Sequence, residues 1–149
     1  MRKQAVLITI RGEQTVEGQS DSVEMSAKGT IEELEDGYAL SYVEREGPME
    51  GTVTRLKVSG RRVELLRLGR YGSEMILERG RRHMCSYPTP YGDLLLGVFA
   101  NRVEHRIKDG SGKIEVAYTL DSNNTLASKN KLQITLKKLN GEDEQACQN

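Results

Sequence analysis

One pattern runs from residue 4 to residue 139 of this chain. Apolar and polar residues alternate over strand-length stretches, and each stretch ends in a turn rich in Gly, Asp or Asn. No stretch of helical period interrupts it. A sheet with one apolar face must hide that face, either by curling round on itself or by folding onto a second sheet. At 149 residues the chain can do this as one domain, burying about two-thirds of the surface its unfolded form exposes.

The alternation reads residue by residue. Val6, Ile8 and Ile10 share one face, with Thr9 and Arg11 on the other. Leu56 and Val58 alternate with Arg55 and Lys57, and Met75 and Leu77 with Glu74 and Glu78. Ile114, Val116, Tyr118 and Leu120 form the cleanest stripe. One apolar and one wetted face is the antiparallel signature. Turn chemistry marks Asp36-Gly37, Ser59-Gly60, Gly69 to Gly72, Gly80, Asp109-Gly110 and Asn123-Asn124. Gly29, in mid-strand, reads as a bend or bulge. The spacing predicts an all-β fold: a single closed antiparallel meander barrel of about ten strands over residues 1–139. A polar tail, residues 140–149, is expected to fray.

Charge narrows the function classes. Lys plus Arg equals Asp plus Glu at 22 each, and the isoelectric point is near 6.8. Nucleic acid is therefore not expected as a partner, because no global basic field exists to gather it. The longest apolar run, Leu94 to Leu96, is too short to cross a bilayer. Cys85 and Cys147 form no disulfide framework and no secretory leader is read, so a cytoplasmic location is expected.

A meander sends successive turns to alternate ends. Turns near 18, 48, 70, 90 and 110 are expected at one rim, with Pro48, Met49, Tyr71, Tyr87, Pro88, Pro90 and Tyr91. Turns near 36, 60, 80, 101 and 124 are expected at the other, with Arg61, Arg62, Arg79, Arg81, Arg82 and Arg102. The arginines suit a phosphate, an RNA backbone or an acidic protein segment. A solvated rim of mixed charge, with Glu64, Glu74, Glu78 and Asp36 close in sequence, is the plainer reading.

Inside, Glu44 and Glu46 share a face with Tyr42, and Arg67 shares one with Val63 and Leu65. A carboxylate and a guanidinium in the lumen either anchor a ligand head group or pair with each other for structural reasons. Met75, Leu77 and His83 are expected to line the lumen. Tyr87 and Tyr91, stiffened by the prolines of YPTPYG, are expected to edge its mouth. His83 and Cys85 share a strand face, but with His105 alone to join them they make neither a metal site nor a nucleophile with its base. No catalytic residue, cofactor or metal is expected. Leu66, Leu68, Leu95 and Phe99 fall on outward faces and suggest a homodimer.

The ordered series YVEREGPMEGTVTRLKVSG (42–60), VELLRLG (63–69), EMILERG (74–80) and YPTPYG (87–92) resembles the YwiB-like family of uncharacterised bacterial proteins. The resemblance extends from Ile10 to Leu136. It implies a calycin-like, lipocalin-like closed barrel, and no activity, cofactor or catalytic residue. The chain departs from the family pattern at Leu77, where an aromatic is usual, and at Pro48, which is inserted. Together these readings describe a non-enzymatic barrel that binds a small amphipathic or anionic molecule in or at its mouth. The alternative is an interaction module that uses the arginine rim, with a lumen filled by its own side chains.

Overall fold

The computed structural model describes residues 3–44, 51–69, 72–122 and 125–139, and of residues 87–89 the backbone. The expected tail from 140 onward, with Cys147, lies outside them. Ten strands follow one another: β1 (Lys3–Val16), β2 (Gln19–Leu34), β3 (Gly37–Val43), β4 (Val53–Ser59), β5 (Arg62–Leu68), β6 (Ser73–Glu78), β7 (Arg82–Thr89), β8 (Gly92–Lys108), β9 (Ser111–Ser122) and β10 (Thr125–Lys138). They form one antiparallel sheet in the order β6-β5-β4-β3-β2-β1-β10-β9-β8-β7. The expected ten-strand barrel is thus present, nearly closed.

Hairpin chemistry sets the register. Glu17 and Gly18 have φ of 49° and 79°, and Asp109 and Gly110 have 51° and 78°. Two consecutive left-handed residues give the primed turn whose twist matches paired strands. Closure at the remaining seam is made by other means than a full ladder. Cys85 Sγ donates to Glu74 O at 3.1 Å, Gly80 N donates to Ala100 O at 2.8 Å, and single bridges join Glu78 to Arg81 and Arg79 to Ala100.

The apolar stripes point inward. Val6, Ile8, Leu40, Val58, Val63, Val98 and Ile114 are fully buried, with Leu56, Leu77 and Ile134 almost so. The outer wall carries Arg11, Arg55, Lys57, Glu104, Arg106, Lys129 and Lys131, all exposed. A charged outside and an apolar inside invert what a membrane-spanning barrel requires. No helix among the described residues is long and apolar enough to cross a membrane.

Two expectations change. The break expected near 101 is no turn: β8 runs through it, and a bulge between Ala100 and Arg102 absorbs Asn101, so that Ala100 stays buried while Arg102 turns outward and Val103 inward. The turn at 109–110 therefore joins those at 35–36, 60–61 and 79–81, beside both ends of the described chain. The β9–β10 turn goes to the opposite end, and Arg102 sits on the wall instead of a rim. Gly29 is no bulge either, since it keeps register with Val6 and Tyr42. A side chain there would run into Ser41 O, Ile8 and Tyr42, so the position is glycine because β3 passes close.

The end that carries the 35–36, 60–61, 79–81 and 109–110 turns is tied shut. Tyr38 Oη donates to Ile107 O at 3.1 Å, and His105 Nε2 donates to Gly60 O at 2.7 Å. We call it the closed end, and its opposite the loop end. On the wall, Arg82 forks Asp121 through Nη2 at 2.6 Å and Nε at 3.1 Å, crossing β8 at Gly97, where a side chain would collide with the guanidinium.

Leu56, 2% exposed, is buried on the inner face of β4. Leu56→Ala should cost about 2–5 kcal/mol in chemical denaturation, and Leu56→Met under about 1.5 kcal/mol. Equal losses would show that volume at this point is not what the barrel depends on.

Candidate functional site

Three inward positions next to the loop end are polar and adjacent. Tyr42 on β3 faces Thr54 on β4, which faces Arg67 on β5. Each continues an apolar stripe (Leu40, Leu56 and Leu65), so period 2 delivers all three to the interior. Tyr42 is 5% exposed and Thr54 fully buried. From four strands away round the sheet, β9 contributes Tyr118, opposite Ala100 on β8 and Asn130 on β10.

Arg67 ties these walls together electrostatically. Burial pushes the Tyr42 phenol up, Glu44 pushes it further, and Thr54 and Arg67 pull it back. Burial also pushes the Tyr118 phenol up, and Arg67 again pulls it back. One guanidinium therefore stands within reach of two phenols on opposing walls. Its Nε is buried with no hydrogen-bond partner. Thr54 Oγ1 is in the same condition: it lies near enough to Tyr42 to act on the phenol, yet makes no hydrogen bond of good geometry. No ion pair joins Arg67 to Glu44 among the described residues. An unpaired buried donor on a cation is costly.

Next to Tyr118 the interior stays polar. Asn130 and Ser128 are buried, and Asn130 Nδ2 donates to Ser128 Oγ at 2.9 Å. A cavity of about 200 Å³, lined by Gly12, Gln14, Asp21, Val23, Tyr118 and Asn130 among others, opens this inner face to solvent. Polar side chains are thus buried near the loop end, where the middle of the barrel is apolar.

The remaining residues singled out from sequence fall in different places. Leu77 is 1% exposed and belongs to the core, with Met75 half-buried against it. His83 and Cys85 do share the inner face. His83 Nε2 meets Glu78 Oε1 at 2.9 Å, an interaction that holds the Glu78 carboxyl below its ordinary value. The Cys85 thiol is pushed up by burial and then by Glu74. Among the described residues no group of His, Cys, Asp or Glu is placed to hold a metal. Tyr91 is 99% exposed on the β7–β8 turn. The Tyr87 side chain, and all of Glu46, Pro48, Met49 and Tyr71, lie outside the described residues.

Of the rim arginines, Arg61, Arg79 and Arg81 occupy two turns joined by Arg79 N to Arg61 O at 2.9 Å. Arg62 is taken by Glu64 at 3.0 Å and Glu78 at 3.8 Å, and Arg82 by Asp121. The outward leucines lie on strands that follow one another round the sheet. Leu66 and Leu68 on β5, Ile76 on β6, Met84 on β7, and Leu95 and Phe99 on β8 all lie opposite core-facing neighbours.

Sequence reading missed Thr54, Tyr118 and Asn130 as parts of the polar interior. Their signal was present as polar residues in phase with inward stripes, Tyr118 in the cleanest stripe of all.

Residues 8–134 match the model of a family described as Domain of unknown function (DUF1934). The chain belongs to this family. Among solved structures, the ywiB protein from Bacillus subtilis superposes with a TM-score of 0.82 over 93% of this chain and 94% of that one, at 19% identity. The likeness shows a common fold, and it agrees with the YwiB-like resemblance carried by the motifs between residues 42 and 92. No curated protein matches the chain.

Tyr42 and Tyr118 should ionise above the ordinary phenol value of 10.0. The unfolded chain then gives up these protons first, so their contribution to stability is present below that value and lost as pH rises through the folded one. Tyrosinate absorbance should show two late-titrating phenols. Arg67→Met should move both later still, and unchanged curves would mean that Arg67 reaches neither.

Proposed function

We propose that this member of the DUF1934 family is a non-enzymatic, cytoplasmic binding module, and that its loop-end interior takes the head group of a small anionic or amphipathic molecule. Arg67 is the anchor. The observation that carries the reading is the buried, partnerless Nε of Arg67 between two phenols. A carboxylate or phosphate oxygen would accept from the guanidinium, whose flat fork suits both anions. The hydroxyls of Tyr42, Thr54 and Tyr118 would supply further donors, and Glu44 would disfavour a second negative group close to Tyr42. An apolar tail would run along the half-buried Leu65 and Met75, which pack against the core. The raised Cys85 thiol supports the non-enzymatic reading, since a nucleophilic cysteine needs the opposite shift.

Native mass spectrometry of the protein purified from its source should find a co-purified anion. A panel of carboxylates and phosphate esters should raise Tm, by about 2.7 kcal/mol of added stability at a hundredfold excess over Kd. Arg67→Met should abolish the shift and Arg67→Lys weaken it. If wild type carries no small molecule and responds to none, while Arg67→Met loses several kcal/mol of stability, Arg67 serves structure alone.

We further propose a homodimer through Leu66, Leu68, Leu95 and Phe99. What supports it is that these side chains point outward on β5 and β8, with Ile76 and Met84 outward on the strands between. Leu68 is 46% exposed, Met84 52%, Leu95 59% and Phe99 36%. Sedimentation should give twice the chain mass for wild type and a monomer for Leu95→Glu with unchanged circular dichroism. A monomeric wild type at micromolar concentration would remove the proposal.

A further inference from the structure

We infer that the arginine face of the closed end binds the phosphodiester backbone of a nucleic-acid duplex. The balanced composition, 22 basic against 22 acidic residues, conceals a local excess that only the fold assembles. The β4–β5 turn docks on β8 through His105 and Gly60, and the β6–β7 connection docks beside it through Arg79 and Gly80. These contacts gather Arg61, Arg79 and Arg81 next to the closed-end half of β8, which carries Arg106, and of β9, which carries Lys113.

Four acids beside these arginines are already paired. Glu64 is held by Arg62, and Glu78 by Arg62 and His83. Glu104 and Glu115 share Arg102, at 2.8 and 3.1 Å. That leaves Arg61, Arg79, Arg81 and Arg106 exposed, with no ion pair among the described residues. Beside them a groove of about 550 Å³ is lined by Gly60, His105, Arg106 and Lys113, together with Arg102 and the two carboxylates it holds, Glu104 and Glu115. Glu78 also draws on Arg81, and Glu104 on Arg106 and Arg79, yet seven cations (Arg61, Arg62, Arg79, Arg81, Arg102, Arg106 and Lys113) stand against four carboxylates (Glu64, Glu78, Glu104 and Glu115), and a line of phosphates takes up that surplus.

The kind of anion follows from what else is exposed. Val16, Val23, Val43, Leu68, Tyr91, Leu94 and Leu126 lie in the loop-end half, and Met84, Leu95 and Phe99 on the β7–β8 wall. Of the large exposed apolar side chains none sits on the closed-end turns, so an acidic protein would find no apolar centre to pack against there. Single strands want several rings for stacking, and Phe99 is one ring at the margin. A duplex needs charge alone, because its bases are already stacked and its phosphates are presented at fixed spacing.

The test is fluorescence anisotropy with labelled RNA and DNA duplexes of about two helical turns. Four phosphate contacts at about 0.9 each predict a slope near −3.6 for log K against log salt, roughly a hundredfold loss of affinity between about 50 and 200 mM. Changing Arg61, Arg79 and Arg106 together to Glu should abolish binding. The milder Arg→Gln triple, which keeps the fold under less strain, should leave a slope near −0.9, one contact's worth. Lys129→Glu with Lys131→Glu, on the wall, should change nothing. Any of three results overturns the inference: no binding at low salt, equal loss in the lysine variant, or full competition by polyglutamate or by inorganic pyrophosphate at matched charge. The last would assign the face to acidic protein or to free phosphate respectively.

Discussion

Everything in this molecule depends on hiding one apolar face of a single ten-strand sheet. The sheet has nothing to pack against but itself, so it curls until β6 meets β7. Those two edges do not complete a ladder, and bare edges are an aggregation hazard. The seam is instead stitched by Cys85 to Glu74 O, His83 to Glu78 and Gly80 N to Ala100 O. Side chains thereby stand in for missing backbone partners, which explains why Cys85 and His83 are inward and engaged without making a metal site.

Curling also makes the two ends unlike. Tyr38 and His105 reach across to backbone carbonyls and shut one end. At the other the inward stripes turn polar before they reach solvent, and beside Tyr42 and Tyr118 the buried Thr54 Oγ1 and Arg67 Nε have no hydrogen-bond partner. An apolar middle separates this polar interior from the arginine face. The two regions differ in character: one is an inward group of polar side chains, the other an outward group of arginines.

Much of this was legible in the residues. Period 2 alone put Tyr42 and Arg67 on inward faces, and turn chemistry found nearly every hairpin. The failure at Asn101 has a definite cause. An Asn followed by a charged residue reads as a turn, and a bulge that swallows one residue leaves no local mark to distinguish it. Because a meander alternates its ends, that single error sent the Asp109-Gly110 and Asn123-Asn124 turns to the wrong rims, and Arg102 with them. Gly29 misled for a similar reason: a glycine required by a strand passing close looks, in sequence, like one required by a bend. Tyr118 was read as part of a stripe because alternation tells which way a side chain points and not what stands opposite it.

The amino-acid sequence by itself determined that the chain is all strand, which face of each strand is buried, and where most hairpins fall. These are local matters, decided by alternation over neighbouring residues and by the backbone freedom of Gly, Asp and Asn. Tertiary structure alone decided which polar residues meet. Arg67 and Tyr118 are 51 positions apart in the chain, and Arg61 and Arg106 are 45 apart. Whether such residues share a site depends on strand order, shear and one bulge, quantities that no stretch of sequence contains because they arise only when the whole sheet closes.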